Sequence, residues 1–141
     1  MVPRPVALDP SPLSLPLIGR RVPAGFPSPA DDYLEEEIDL NKFLIERPAA
    51  SYTLRVSGSS MSGAGILDGD FVVVDRSVRA RPGHIVVAVA AGEMTIKRLR
   101  RGPDGRLLLA AENPDYPPLI LGEDDDASVW GVVVGVVRKV A

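Results

Sequence analysis

Chemistry in this chain has to come from a short inventory. The sequence holds no cysteine and a single histidine, His84, which excludes disulfides, thiolate metal sites and a cysteine nucleophile. A Ser-His-Asp triad or a His-based metal site would have to use His84. That residue follows Pro82-Gly83 at the mouth of a Val-rich segment, and nothing around it marks the placement a general base needs. It reads as a surface residue beside a turn. That leaves serine with lysine as the plausible nucleophile–base pair, a known variant of the triad logic. Ser57-Gly58-Ser59-Ser60-Met61 closes one apolar segment and opens a loop. Glycine there lets the backbone turn sharply, so that a serine hydroxyl and successive backbone N–H groups can face one cleft. On its own the same stretch reads as a Ser/Gly-rich turn.

Lys97 is the complementary feature. Along Met94–Leu99, strand alternation puts Thr95, Lys97 and Leu99 on one face and Met94, Ile96 and Arg98 on the other. Arg98 and Arg100 therefore point away from Lys97. A lysine that shares a face with apolar side chains can be desolvated, which disfavours the ammonium and lowers its pKa. A neutral amine can then take a proton from serine. Spacing alone does not separate this from a lysine that snorkels to water. The cluster Lys97, Arg98, Arg100 and Arg101 also resembles a basic patch, but no aromatics interleave it and the chain is acidic overall.

The elements that must position these residues are mostly strands. Tyr52, Leu54 and Val56 alternate with Thr53, Arg55 and Ser57, the period-2 signature. Val-, Ile- and Leu-rich segments follow at 71–74, 85–91, 94–99, 107–111 and 129–137, separated by turn chemistry such as Asp68-Gly69-Asp70 and Pro103-Asp104-Gly105. Gly131 and Gly135 inside the last segment predict bulges or a bend. The expected fold is mainly β: a compact, curved, antiparallel domain of about six or seven strands. Residues 31–141 make up that domain, and an extended arm of residues 1–30 precedes it. The arm holds eight prolines, too many for a helix or a central strand. It is also too short for a helix-turn-helix, so no DNA-reading domain is expected ahead of the core. Between Asp31 and Arg47 the spacing of Leu34, Ile38 and Ile45 predicts a helix that Pro48 ends.

Composition narrows the function classes. The 141 residues carry a net charge of −3, so a protein that grips nucleic acid by its phosphates is not indicated. Residues 1–24 hold three arginines against one aspartate, a net of +2, which leaves −5 for the rest. No apolar run reaches the ~20 residues of a membrane span, and the proline-rich start does not read as a secretory signal. A cytoplasmic location, no membrane contact, no metal and no cofactor are the expectations. The acidic stretch 123–126 reads as a solvated loop.

Several separated motifs, taken in order, resemble the LexA/UmuD family of self-cleaving serine–lysine peptidases, and its UmuD-type members most closely. They are Gly25-Phe26-Pro27-Ser28-Pro29-Ala30-Asp31-Asp32-Tyr33, Ile38-Asp39-Leu40-Asn41, Ser57-Gly58-Ser59-Ser60-Met61 and Gly65-Ile66-Leu67-Asp68-Gly69-Asp70. Val73-Val74-Asp75, Thr95-Ile96-Lys97-Arg98-Leu99, Glu112-Asn113-Pro114 and Gly131-Val132-Val133 complete the set. Agreement of many motifs in register is more specific than any one of them. The resemblance implies Ser60 as nucleophile, Lys97 as general base and Ala24-Gly25 as the scissile bond. The backbone amides of Ser60 and Met61 become the candidates for the oxyanion site. Three positions depart from the UmuD-type pattern: Ala24 replaces cysteine, Ser59 an acidic residue, and His84 an aspartate.

The resemblance further implies a homodimer that cleaves itself on a RecA–single-stranded DNA filament after DNA damage. Its trimmed form would serve a UmuC-type translesion polymerase, with no direct sequence-specific DNA binding. Two other classes stand beside it: a dimerisation or docking module that never cleaves, and a soluble serine–lysine peptidase acting on other proteins.

Overall fold

A computed structural model of the protein describes residues 14–18, 21–22, 24–25, 35–121 and 127–141. The acidic stretch 123–126 lies outside them, as does most of the Gly25–Tyr33 motif. The chain divides into two compact units, one of residues 10–46 and one built on residues 47–141.

In the first unit β1 (Ser14–Ile18) pairs antiparallel with β2 (Glu35–Asp39), bringing Leu15 opposite Ile38 and Leu17 opposite Glu36. The unit thus takes in residues on both sides of the boundary expected at residue 30. Pro16 sits within β1 opposite Glu37. A two-stranded ribbon tolerates the missing N–H because each strand has a free edge. The helix expected from Asp31 onward shrinks to α1 (Leu40–Leu44). Asp39 is the reason. Its backbone is extended, and its carboxylate accepts the Lys42 N–H at 3.1 Å, an N-cap that starts the helix there. Ile38 therefore lies in a strand and Ile45 closes the helix, so the two never share a helical face.

The second unit is one antiparallel sheet of seven strands. Chain order introduces β3 (Ser51–Arg55), β4 (Phe71–Asp75), β5 (Ile85–Ala90), β6 (Glu93–Arg101), β7 (Leu107–Ala110), β8 (Leu119–Ile120) and β9 (Ser128–Val137). The spatial order is β3-β4-β9-β5-β6-β7-β8. The register of β9 slips by one residue against β4 between Val73 and Val74, and again against β5 between Val87 and Ala88. Both slips fall beside the glycines that predicted them, since Val73 faces Gly135 and Val87 faces Gly131. Gly131 is required for a second reason: a Cβ there would stand 2.6 Å from Val74 Cγ1.

Apolar side chains cover both faces of the sheet, as continuous Val-rich runs demand. One cluster joins Val72, Val74 and Val87 to Val56, Met61 and Ile66; the other joins Val86, Ala88 and Val132 to Leu99 and Leu109. Neighbouring β5 residues thus serve opposite cores. Met61 and Ile66, at 2% and 1% exposure, belong to the loop after β3, so the first core anchors that loop by both ends.

The same loop is closed by a charge. Asp70 is buried, and its carboxylate receives Arg138 Nε at 2.7 Å, Arg138 Nη2 at 2.6 Å and the Leu67 N–H at 2.8 Å. The Arg138 hydrogen bonds hold its pKa down at about 2. A carboxylate with a depressed folded-state pKa stabilises the fold above its unfolded value, and that contribution fades as pH falls toward the folded pKa. Asp70→Asn should therefore lower the melting temperature at pH 7 and match the parent near pH 2. Thermal scans from pH 2 to 7 check this, and a constant gap would refute it.

Candidate active site

Ser60 and Lys97 are far apart in sequence and adjacent in space. After β3 the chain turns at Gly58, whose φ of +93° favours glycine. The Gly58 N–H is held by Asp68 Oδ1 at 2.8 Å. Met61 then drops into the core, which leaves Ser60 at the surface of the fold, half-buried, at the rim of a cavity of about 380 Å³. Leu54, Val56, Val87, Met94 and Ile96 supply its apolar walls. A second hollow of about 570 Å³, with Lys97, Tyr116, Leu119 and Ile120 among its walls, shares Met94 and Thr95 with the first. The two hollows thus adjoin at Met94 and Thr95, with Ser60 lining the first and Lys97 the second.

Lys97 is 8% exposed on β6. Its Nζ lies 3.2 Å from Ser60 Oγ, 2.8 Å from Thr95 Oγ1 and 3.2 Å from the Ile96 carbonyl oxygen. All three partners are neutral oxygens. Burial alone pushes the amine below its ordinary pKa of 10.5, with no carboxylate among its partners to offset it. The geometry also fixes what deprotonation does. An ammonium donates to all three oxygens. A neutral amine has two N–H bonds, and Thr95 and Ile96 can take both, leaving the lone pair aimed at the Ser60 hydroxyl. The arrangement can thus draw a proton from serine. Among the described residues neither the Ser60 nor the Met61 N–H has a hydrogen-bond partner.

The sequence placed Lys97 on the correct face, and Arg98 and Arg100 do point elsewhere: both donate to Glu112 Oε1, at 2.8 and 2.9 Å. Thr95 was visible as a face neighbour of Lys97, but its bond to Nζ was not, because strand alternation says nothing of rotamers. His84 is half-buried in its own turn. Its Nδ1 accepts the Arg81 N–H at 3.1 Å and its carbonyl accepts the Leu99 N–H at 2.8 Å. These bonds fasten the turn to β6. No group of three or more His, Asp or Glu among the described residues could hold a metal. Nor is any helix there long and apolar enough to cross a membrane.

Comparison with known proteins agrees with this fold. The Peptidase S24-like family matches residues 16–134. Protein SamA of Salmonella typhimurium is 44% identical over 131 residues, 93% of this chain and 90% of its own. Protein MucA of Escherichia coli is 46% identical over 121 residues, 85% of this chain and 82% of its own. The LexA repressor of Bordetella parapertussis is 44% identical over 126 residues, 89% of this chain and 57% of the repressor. The chain belongs to the peptidase S24 family, a family of serine peptidases. Within it, SamA and MucA are homologues of UmuD.

Proposed function

We propose that the protein is a UmuD-like switch of the DNA-damage (SOS) response that cuts itself between Ala24 and Gly25. The observation that carries this reading is the buried Lys97 amine set 3.2 Å from Ser60 Oγ. Ser60 Oγ attacks the Ala24 carbonyl carbon as its proton passes to Lys97 Nζ. The N–H groups of Ser60 and Met61, unpartnered among the described residues, are suited to the oxyanion that forms. Collapse breaks the C–N bond, and Lys97 returns the proton to the Gly25 nitrogen. Water, activated by the same amine, then hydrolyses the Ala24–Ser60 ester.

Likeness to SamA, MucA and LexA supports a DNA-damage setting. In that setting a RecA–single-stranded DNA filament favours the docked form of a tethered arm, where effective concentration replaces tight binding. The trimmed chain, residues 25–141, then acts as a homodimer with a UmuC-type polymerase. Mass spectrometry after incubation with an activated RecA filament tests the reading. A product starting at Gly25 supports it. An unchanged chain points to a docking module, and cleavage of an added protein to a general peptidase.

Gly25→Glu probes the bond itself. Gly25 is exposed and a Cβ there meets nothing within 4 Å, so the folded chain loses nothing. In the groove a long charged side chain beside the scissile carbonyl is expensive to desolvate. The variant should stay uncut when mixed with an active 25–141 fragment. Efficient trimming would show that the groove tolerates bulk at this position.

A further inference from the structure

Ser60 and Lys97 sit on different elements, and a distance of 3.2 Å between them has to be maintained by something other than the pair. Lys97 is fixed by its strand. Ser60 is on a loop, and its neighbour Met61 anchors only the loop's inner side. The outer side of that loop is held from the segment that follows β7.

We propose that Glu112 and Asn113 are positioning residues that set the Ser60–Lys97 distance by joining the Ser60 loop to β6, with Asn113 as the decisive contact. The inference rests on the serine–lysine reading above. Glu112 binds in two directions at once. Its side-chain Oε1 accepts from Arg98 Nε and Arg100 Nη2 on β6, the strand that carries Lys97. Its backbone carbonyl accepts the Gly63 N–H at 2.8 Å. Asn113 reaches the loop on the other side of the nucleophile, donating Nδ2 to the Ser59 carbonyl oxygen at 3.0 Å. Ser60 is thus bracketed by contacts at positions 59 and 63.

Two details show how closely the parts fit. A Cβ on Gly63 would stand 2.5 Å from the Glu112 carbonyl oxygen, so only glycine allows the approach. The Asn113 amide is oriented from both ends: its Oδ1 accepts the Asp115 N–H at 3.0 Å while its Nδ2 faces a carbonyl. A flipped amide would satisfy neither. The Arg98 and Arg100 guanidiniums keep the Glu112 carboxyl below its ordinary pKa, so the brace to β6 stays charged at neutral pH.

Asn113→Asp isolates the contact. The aspartate keeps an oxygen for the Asp115 N–H but sets a carboxylate oxygen against the Ser59 carbonyl. The loop must move away, and a misplacement of about 1 Å costs roughly 100-fold in rate. The assay is phosphonylation of Ser60 in the full-length chain by an alkyl fluorophosphonate, located by mass spectrometry, which needs neither filament nor cleavage. In the parent, labelling should rise with pH and level off once Lys97 is neutral. In Asn113→Asp it should be roughly 10- to 100-fold slower and should keep rising with hydroxide, without the plateau, at an unchanged melting temperature. A merely structural lesion would slow labelling in proportion to unfolding and keep the plateau. Labelling of Asn113→Asp at the parental rate and profile overturns the proposal. Should Asn113→Asp unfold, Glu112→Gln decides by the same two readouts, because it weakens the brace without a repulsive contact. A parent that is not labelled at Ser60 at all instead overturns the serine–lysine reading, and this inference with it.

Discussion

Ser60→Ala is expected to give a chain that stays whole under every inducing condition. The hydroxyl is the only group removed. Among the described residues its bonding role in the resting fold is one contact from Lys97, which keeps Thr95 and Ile96 as partners. Stability should therefore change by no more than about 1 kcal/mol, as for most substitutions that leave no buried group stranded. The rate should fall by about 10⁴-fold or more, because loss of the nucleophile leaves only binding and oxyanion contributions. A thermal scan and a cleavage time course with the RecA filament measure both. A chain that still yields a product starting at Gly25 would take Ser60 out of the mechanism.

The Lys97 variants carry the second large effect, and they separate catalysis from stability. Arginine keeps the charge but does not deprotonate in the accessible range, so Lys97→Arg should be inactive at every pH. Parental self-cleavage should climb with pH and flatten once the amine is neutral, at a pH below 10.5 because burial lowers the pKa. A flat profile from pH 6 to 10 would return His84 to contention. At pH 7 the Lys97 charge costs stability where the Asp70 charge adds it, although stability rises with pH through both titration windows. Below its folded-state pKa, Lys97 is an ammonium held out of water, and the fold bears that cost. Between the folded pKa and 10.5 the unfolded chain binds more protons, so stability rises with pH across that window. Each unit of depression corresponds to about 1.4 kcal/mol. In a Ser60→Ala background, Lys97→Met should then melt higher than its parent at pH 7, with the advantage gone near pH 10.5. A methionine variant that melts lower at pH 7 would mean that the lysine's hydrogen bonds outweigh its burial.

Much of this was legible in the sequence, for identifiable reasons. Alternation along β6 assigns Lys97 its face because side chains in a strand have a strict period. Val-rich runs and the glycines of β9 gave the sheet and its two register slips. What alternation does not contain is contact between elements. Ser57, Ser59, Ser60 and Ser62 are equivalent as composition; Ser60 is singled out by the burial of Met61 beside it, a property of the assembled core. Likewise, Glu112-Asn113 carried meaning only as a motif until the fold brought it between the loop and β6. Over residues 35–47 the helical spacing of the apolar residues competes with the Asp39 cap, and the cap decides where the helix starts. β8 was missed because two residues, Leu119 and Ile120, are too few to show any period.

The hairpin of the first unit gives the proposed cut a direction in time. Ala24 and Gly25 lie between β1 and β2 in the chain, and those strands pair with each other. While the chain is whole, the connection keeps one strand permanently in reach of the other. Severing it turns an internal pairing into an encounter between two molecules, and a lone two-stranded ribbon is marginal in water even when its strands are joined. The released piece should dilute away, and β2 is then left with a newly unpaired row of backbone N–H and C=O groups. At cellular concentrations no resealing reaction competes with that loss, so the event works as a ratchet. A chain cut in the proposed way would keep a record of having once been triggered, and only new synthesis would erase it.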